Sequence, residues 1–167
     1  MKNILMLLSA SFIVLAGLYG AGFRINVTAS MPPGIYRIFF DETPKRGGYV
    51  SFCPDEDAAA VALNAGYLQP GSCMSGVRPL LKILVGVAGD TLRIAPEGVY
   101  INEALLPESA VLTKDKNGVA LAHKAPEGSI PDGQAFLLAN HQGSYDSRYF
   151  GFVPASRLMK VVPVYLF

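Results

Sequence analysis

At 167 residues the chain is long enough for one ordinary hydrophobic core plus a short appendage, and a net charge of +1 without basic or acidic blocks argues against nucleic acid as a partner. A mean hydropathy of +0.33 is high for a water-soluble domain; the excess lies in residues 4–23 and in a β-rich body. The two cysteines, Cys53 and Cys73, form no CxxC pair and have no histidines beside them, so neither a metal nor another cofactor is expected.

Residues 4–23 carry no charge over 20 positions. A helix of that length is ~30 Å long and matches the hydrocarbon core of a bilayer. Lys2 and the amino terminus precede it and Arg24 follows, so the charge bias towards an inside amino terminus is slight. A cleaved signal peptide is the competing reading, but its apolar region is usually shorter, and Gly20 and Gly22 mimic a small-residue cleavage site poorly. A buried core helix would not be apolar on every side. The reading adopted is a retained anchor, residues 1–24, followed by one exported domain, residues 25–167.

Just beyond the anchor lies Thr28-Ala29-Ser30-Met31-Pro32-Pro33-Gly34. The prolines make the backbone after Ser30 extended and stiff, which suits a nucleophile that must be held in place. Serine attacks only when a base takes its proton. Thr28 could aim its hydroxyl at a developing oxyanion, with the Ser30 N–H as the second donor. The plainer alternative is a polar linker, with Asn26-Val27-Thr28 also readable as a glycosylation sequon.

Residues 34–40 read as a strand, 41–48 as a loop and 48–53 as a second strand. Asp55, Glu56 and Asp57 then precede an apolar stretch, 58–63, as a helix start should, and Gly66 stops it. In an exported domain Cys53 and Cys73 could close this segment with a disulfide; two buried thiols are the alternative. Residues 80–87 form the most apolar run outside the anchor. At period two, Leu80, Lys82 and Leu84 share a face. Apolar surroundings lower a lysine pKa, and a neutral amine can accept a serine proton. The alternative is an edge-strand lysine that discourages aggregation.

Residues 91–94 and 99–102 flank a hairpin turn, and 107–132 is polar, with a short strand expected at 119–123. Strands follow at 134–139 and 161–167. Many short strands and one body helix indicate a mainly β fold, a coiled sheet or partly open barrel behind one transmembrane helix. His123 and His141 are rival bases, but neither has an acid partner in an evident arrangement. Within residues 144–151, Asp146 and Arg148 are expected to pair.

Three stretches carry a resemblance. Ser30-Met31-Pro32, Lys82 with Val85-Gly86-Val87-Ala88-Gly89-Asp90, and Ser144-Tyr145-Asp146-Ser147-Arg148-Tyr149-Phe150-Gly151 resemble, in order, the three hallmark boxes of type I signal peptidases. The match covers residues 28–151. The short body, single anchor and Cys53/Cys73 pair are more similar to the conjugative-transfer branch, the TraF-like proteins, than to housekeeping leader peptidases. The resemblance implies Ser30 as nucleophile, Lys82 as general base and Thr28 as oxyanion donor. It implies that Ser144 orients the lysine and that Asp146 and Arg148 support the site. Ala88 replaces the family's usual proline, and Asn140-His141-Gln142-Gly143 replaces a Gly-Asp-Asn-Arg lead-in, which puts housekeeping specificity in doubt.

The same resemblance implies an inner-membrane protein with a periplasmic catalytic domain acting on exported precursors, with small residues before the cut. A pilin precursor is the expected substrate, released linear or cyclised, in the company of type IV secretion components. A housekeeping-type signal peptidase and a non-enzymatic membrane-anchored assembly module are the competing readings.

Overall fold

The computed structural model describes residues 2–167. Helix α1, Lys2–Gly20, is apolar all round, and none of its residues is buried against the body. Among the described residues it is the one helix long and apolar enough to cross a membrane. It stops short of the expected end at residue 23. Gly22, at φ +91°, turns the chain away from the helix axis, and a Cβ there would lie 2.3 Å from the Ile38 carbonyl oxygen. Phe23 is therefore the first residue of a strand, β1 (Phe23–Asn26), in a stretch that reads as span and linker in the sequence.

The body is mainly β. Strands β2 (Gly34–Phe39), β3 (Tyr49–Phe52), β4 (Leu80–Val87), β9 (Gln134–Leu138), β10 (Val153–Pro154) and β11 (Met159–Leu166) join β1 in a seven-stranded sheet. Its order is β1-β2-β11-β3-β4-β9-β10, and every pairing is antiparallel. A second sheet, in the order β7-β6-β5-β8, contains β5 (Thr91–Ala95), β6 (Gly98–Ile101), β7 (Ala104–Leu105) and β8 (Gly128–Ser129). The β5–β6 hairpin turns through Pro96 and Glu97, with Ala95 opposite Gly98.

The long sheet curls into a half-barrel with apolar residues on both faces. On one face Val50, Phe52, Leu80, Leu84 and Leu137 form the main cluster. On the other, Tyr36, Ile38 and Val161 form a second. The small sheet packs through Leu92, Val99 and Ile101 onto Phe136 and Leu138. Burial alternates strictly along β4, with Leu80, Lys82, Leu84 and Gly86 inward. Because β3 and β9 flank β4, Lys82 is not on a sheet edge, and the edge-strand alternative falls.

Helix α2, Glu56–Asn64, begins where its acidic signal predicts: the Asp55 side chain accepts from the Ala58 N–H at 2.8 Å. Cys53 and Cys73 are disulfide-bonded and close the arm that carries this helix. The strand expected at 119–123 does not form. The Asp115 carboxylate accepts the N–H groups of Asn117 and Val119, which winds the segment into a tight turn with a single bridge, Lys114 to Ala120. A one-turn helix, α3 (Ser147–Phe150), lies in the connection between β9 and β10.

Candidate active site

Ser30 sits in the loop between β1 and β2, and this loop is tied down from several sides. Asn26, at the end of β1, donates from its amide nitrogen to the carbonyls of Thr28, Met31 and Pro32 at 3.2, 3.0 and 3.1 Å. Its amide oxygen accepts from the Thr28 N–H and the Thr28 hydroxyl at 3.2 and 2.7 Å. The Tyr36 hydroxyl donates to the Pro32 carbonyl at 2.6 Å, and Met31 is fully buried beneath the loop. At Gly34 a Cβ would meet the Tyr165 carbonyl oxygen at 2.4 Å, so only glycine lets β2 lie this close to β11. Ser30 Oγ is half-buried and 3.3 Å from Thr28 Oγ1.

Lys82 is 3% exposed and projects into the Val50, Leu80 and Leu84 cluster, with Val50 directly opposite on β3. Its Nζ donates to Ser144 Oγ at 2.8 Å. Burial lowers its pKa to about 8; Asp146 pulls the other way and Arg148 adds to the lowering.

Asp146 is committed elsewhere. It caps α3 and takes a two-pronged ion pair from Arg148, Nε to Oδ1 at 2.8 Å and Nη2 to Oδ2 at 2.7 Å, with both side chains wholly buried. Arg148 Nη1 also donates to the Ala110 carbonyl at 2.7 Å and Nη2 to the His141 carbonyl at 3.3 Å. The guanidinium thus fixes the segment that presents Ser144 and balances the carboxylate that would otherwise hold Lys82 charged.

Among the described residues no hydrogen bond joins Ser30 to Lys82: the serine pairs with Thr28 and the lysine with Ser144. Catalytic hydrogen bonds in an unliganded site are often long and tighten around substrate. Two clefts flank the pair. One, of about 280 Å³, runs from Asn26 to Leu81, on the face of β4 opposite Lys82. The other, of about 580 Å³, opens at Ser144 between Tyr67, Asp115 and Tyr145. His141 lines the second cleft, and its Nδ1 accepts from the Gly143 N–H at 3.1 Å. His123 lies against the Tyr149 ring, 5.7 Å between centroids. Neither histidine is hydrogen-bonded to Ser30.

Sequence reasoning missed Asn26, Tyr67 and Tyr145. Asn26 organises the serine loop. The Tyr67 hydroxyl donates to Asp115 at 2.8 Å and the Tyr145 hydroxyl to the Ala58 carbonyl at 3.2 Å, so both tyrosines tie the disulfide-closed arm to the site. Burial pushes the Tyr145 pKa up to about 12. The one available signal was Asn26, which stands two residues before Thr28.

A family model described as signal peptidase, peptidase S26, matches residues 1–166. A conjugal transfer protein TraF of Agrobacterium tumefaciens (strain 15955) is 38% identical over 149 residues, covering 87% of this chain and 84% of the relative. A plasmid transfer protein TraF of Escherichia coli is 32% identical over 157 residues, covering 92% and 87%. A probable signal peptidase I-2 of Synechocystis is 28% identical over 117 residues, covering 70% of this chain and 45% of the relative. Among solved structures, a signal peptidase I of Enterococcus faecalis V583 is similar over 72% of this chain and 97% of that one, at 22% identity and a TM-score of 0.41.

Proposed function

The chain belongs to the signal peptidase family, peptidase S26, in its TraF-like branch, and from that premise we propose that it is a membrane-anchored serine endopeptidase of conjugation. Ser30 is the nucleophile and Lys82 the general base. The reading is carried by one observation: the Lys82 amine is buried on a residue paired with Val50 and is held by a hydroxyl rather than a carboxylate.

In this mechanism neutral Lys82 takes the Ser30 proton as Ser30 Oγ attacks the scissile carbonyl. The Ser30 N–H and the Thr28 hydroxyl, once it turns its proton from the Asn26 amide oxygen, stabilise the oxyanion. Lys82 then protonates the leaving amine. Water, or the amino terminus of the substrate itself, resolves the acyl-enzyme. Ser144 holds the amine on line, and the Asp146–Arg148 pair holds Ser144. Residues 1–24 anchor the chain in the inner membrane and residues 25–167 work on the periplasmic side. The substrate is an exported precursor, a conjugative pilin in keeping with the TraF relatives, and the partners are components of that transfer apparatus.

The test is co-expression with candidate pilin precursors, followed by mass spectrometry. Wild type cuts the precursor. Ser30→Ala and Lys82→Ala each lose processing while keeping the wild-type circular dichroism spectrum. Full processing by folded Lys82→Ala would leave the chain a peptidase with another base, and full processing by Ser30→Ala as well would leave it a non-enzymatic assembly module.

A further inference from the structure

The cleft between Asn26 and Leu81 has a chemistry that small apolar residues before a cut do not explain. We propose that it is a specificity subsite for a carboxylate side chain, Asp or Glu, in the precursor segment bound beside Ser30; this rests on the peptidase reading above. The cleft is lined by Arg24, Asn26, Tyr36, Ser51, Arg78 and Leu81 among others, and by no acidic residue.

Its two arginines keep their charge unbalanced. Arg24 Nη1 donates to the carbonyls of Tyr19 and Phe23 at 2.7 and 2.8 Å, and its guanidinium stacks 3.6 Å from the Tyr19 ring centroid. Those contacts orient the group without neutralising it. The Arg78 side chain makes no hydrogen bond or ion pair among the described residues, whose three ion pairs are Arg46–Asp90, Asp146–Arg148 and Glu42–Lys160.

A third donor waits beside them. Ser51 is 5% exposed, and its hydroxyl has no hydrogen-bond partner among the described residues. It lies opposite Leu81 in the β3–β4 register and lines the same cleft. The hydroxyl is free to donate to an incoming carboxylate oxygen. Both arginines and Ser51 line a space walled by Tyr36, Ile38 and Val161, which suit the methylene stem of a short acidic side chain.

Lipid phosphate is the competing anion, since Arg24 stands four residues beyond α1. The position of the cleft favours the peptide. It begins at Asn26, the residue that holds the Ser30 loop, so a side chain lodged there belongs to the polypeptide bound at that loop.

The experiment uses full-length Ser30→Ala protein in nanodiscs and fluorescent Ala-X-Ala-containing peptides with X as Glu, Gln or Lys. Binding is read by anisotropy, and turnover of the same peptides is read with the Ser30 protein. The expected result in phosphatidylcholine discs is Glu bound about tenfold or more tightly than Gln, as a charge-assisted hydrogen bond predicts. That preference is lost in Arg78→Gln and turned towards Lys in Arg78→Glu. Equal binding of Glu and Gln peptides overturns the proposal. So does a preference that survives Arg78→Glu. It is also overturned if Arg78→Gln leaves peptide binding unchanged but weakens retention on phosphatidylglycerol vesicles, which assigns the site to lipid. A Glu preference in binding with no turnover of any peptide keeps the subsite and removes the peptidase reading.

Discussion

Lys82 puts stability and chemistry in opposition. Its folded pKa of about 8 lies below the ordinary 10.5 of an unfolded lysine. Between those values the unfolded chain binds a proton that the folded chain does not, so stability rises with pH across that window. Below pH 8 the burial penalty is present in full, on the order of 3 kcal/mol. Replacing Lys82 with Met should therefore stabilise the fold at pH 7 by up to ~3 kcal/mol while abolishing processing, and the gain should fade by pH 10.5. Urea denaturation of both proteins at pH 7 and pH 10 checks this, because other titrating groups cancel in the difference. Processing by wild type should climb about tenfold per pH unit up to pH 8 and then level off. The inward face of Lys82 was legible from period two alone. Its partner was not: Ser144 is 62 residues away, and only the pairing of β4 with β9 brings them together.

The loop between β1 and β2 depends on one carboxamide for its shape. Asn26→Ala removes the amide nitrogen whose two N–H groups are shared among the Thr28, Met31 and Pro32 carbonyls, and the acceptor of the Thr28 hydroxyl. Loss of positioning on this scale is expected to lower kcat by about 100-fold with little change in KM, measured on any processed precursor. The sequence hid this role because β1 is four residues long and its apolar start runs straight on from the helix. Four residues are too few for a periodic signal to separate strand from span. The arm that carries α2 was easier to read: acidic residues at its start and the flanking cysteines mark it. Cys53→Ser with Cys73→Ser should cost ~3 kcal/mol by the chain-entropy account, seen as a lower midpoint in urea. The same change should loosen the Tyr67–Asp115 contact over the Ser144 cleft.

Across the whole molecule, α1 and the body are nearly independent. No residue of α1 is buried, so deleting residues 2–20 should alter body stability by no more than about 0.5 kcal/mol. Matching urea midpoints for the truncated and full-length proteins, the latter in detergent, would check this. The mainly β class and the apolar amino-terminal helix were both readable, since turn residues and a long apolar run are local signals. The two-sheet arrangement was not, because it rests on pairings between distant segments, such as β5 with β8 and β11 with β2.

Strand β11 has a consequence in time. It lies between β2 and β3, and follows every other strand in the chain. During synthesis the segment bearing Ser30 emerges early, yet its half of the sheet has no strand pairing with the half bearing Lys82 until Met159–Leu166 arrives. A chain still being made therefore holds Ser30 and Lys82 on separate pieces, and under the proposed mechanism activity begins only when β11 joins them.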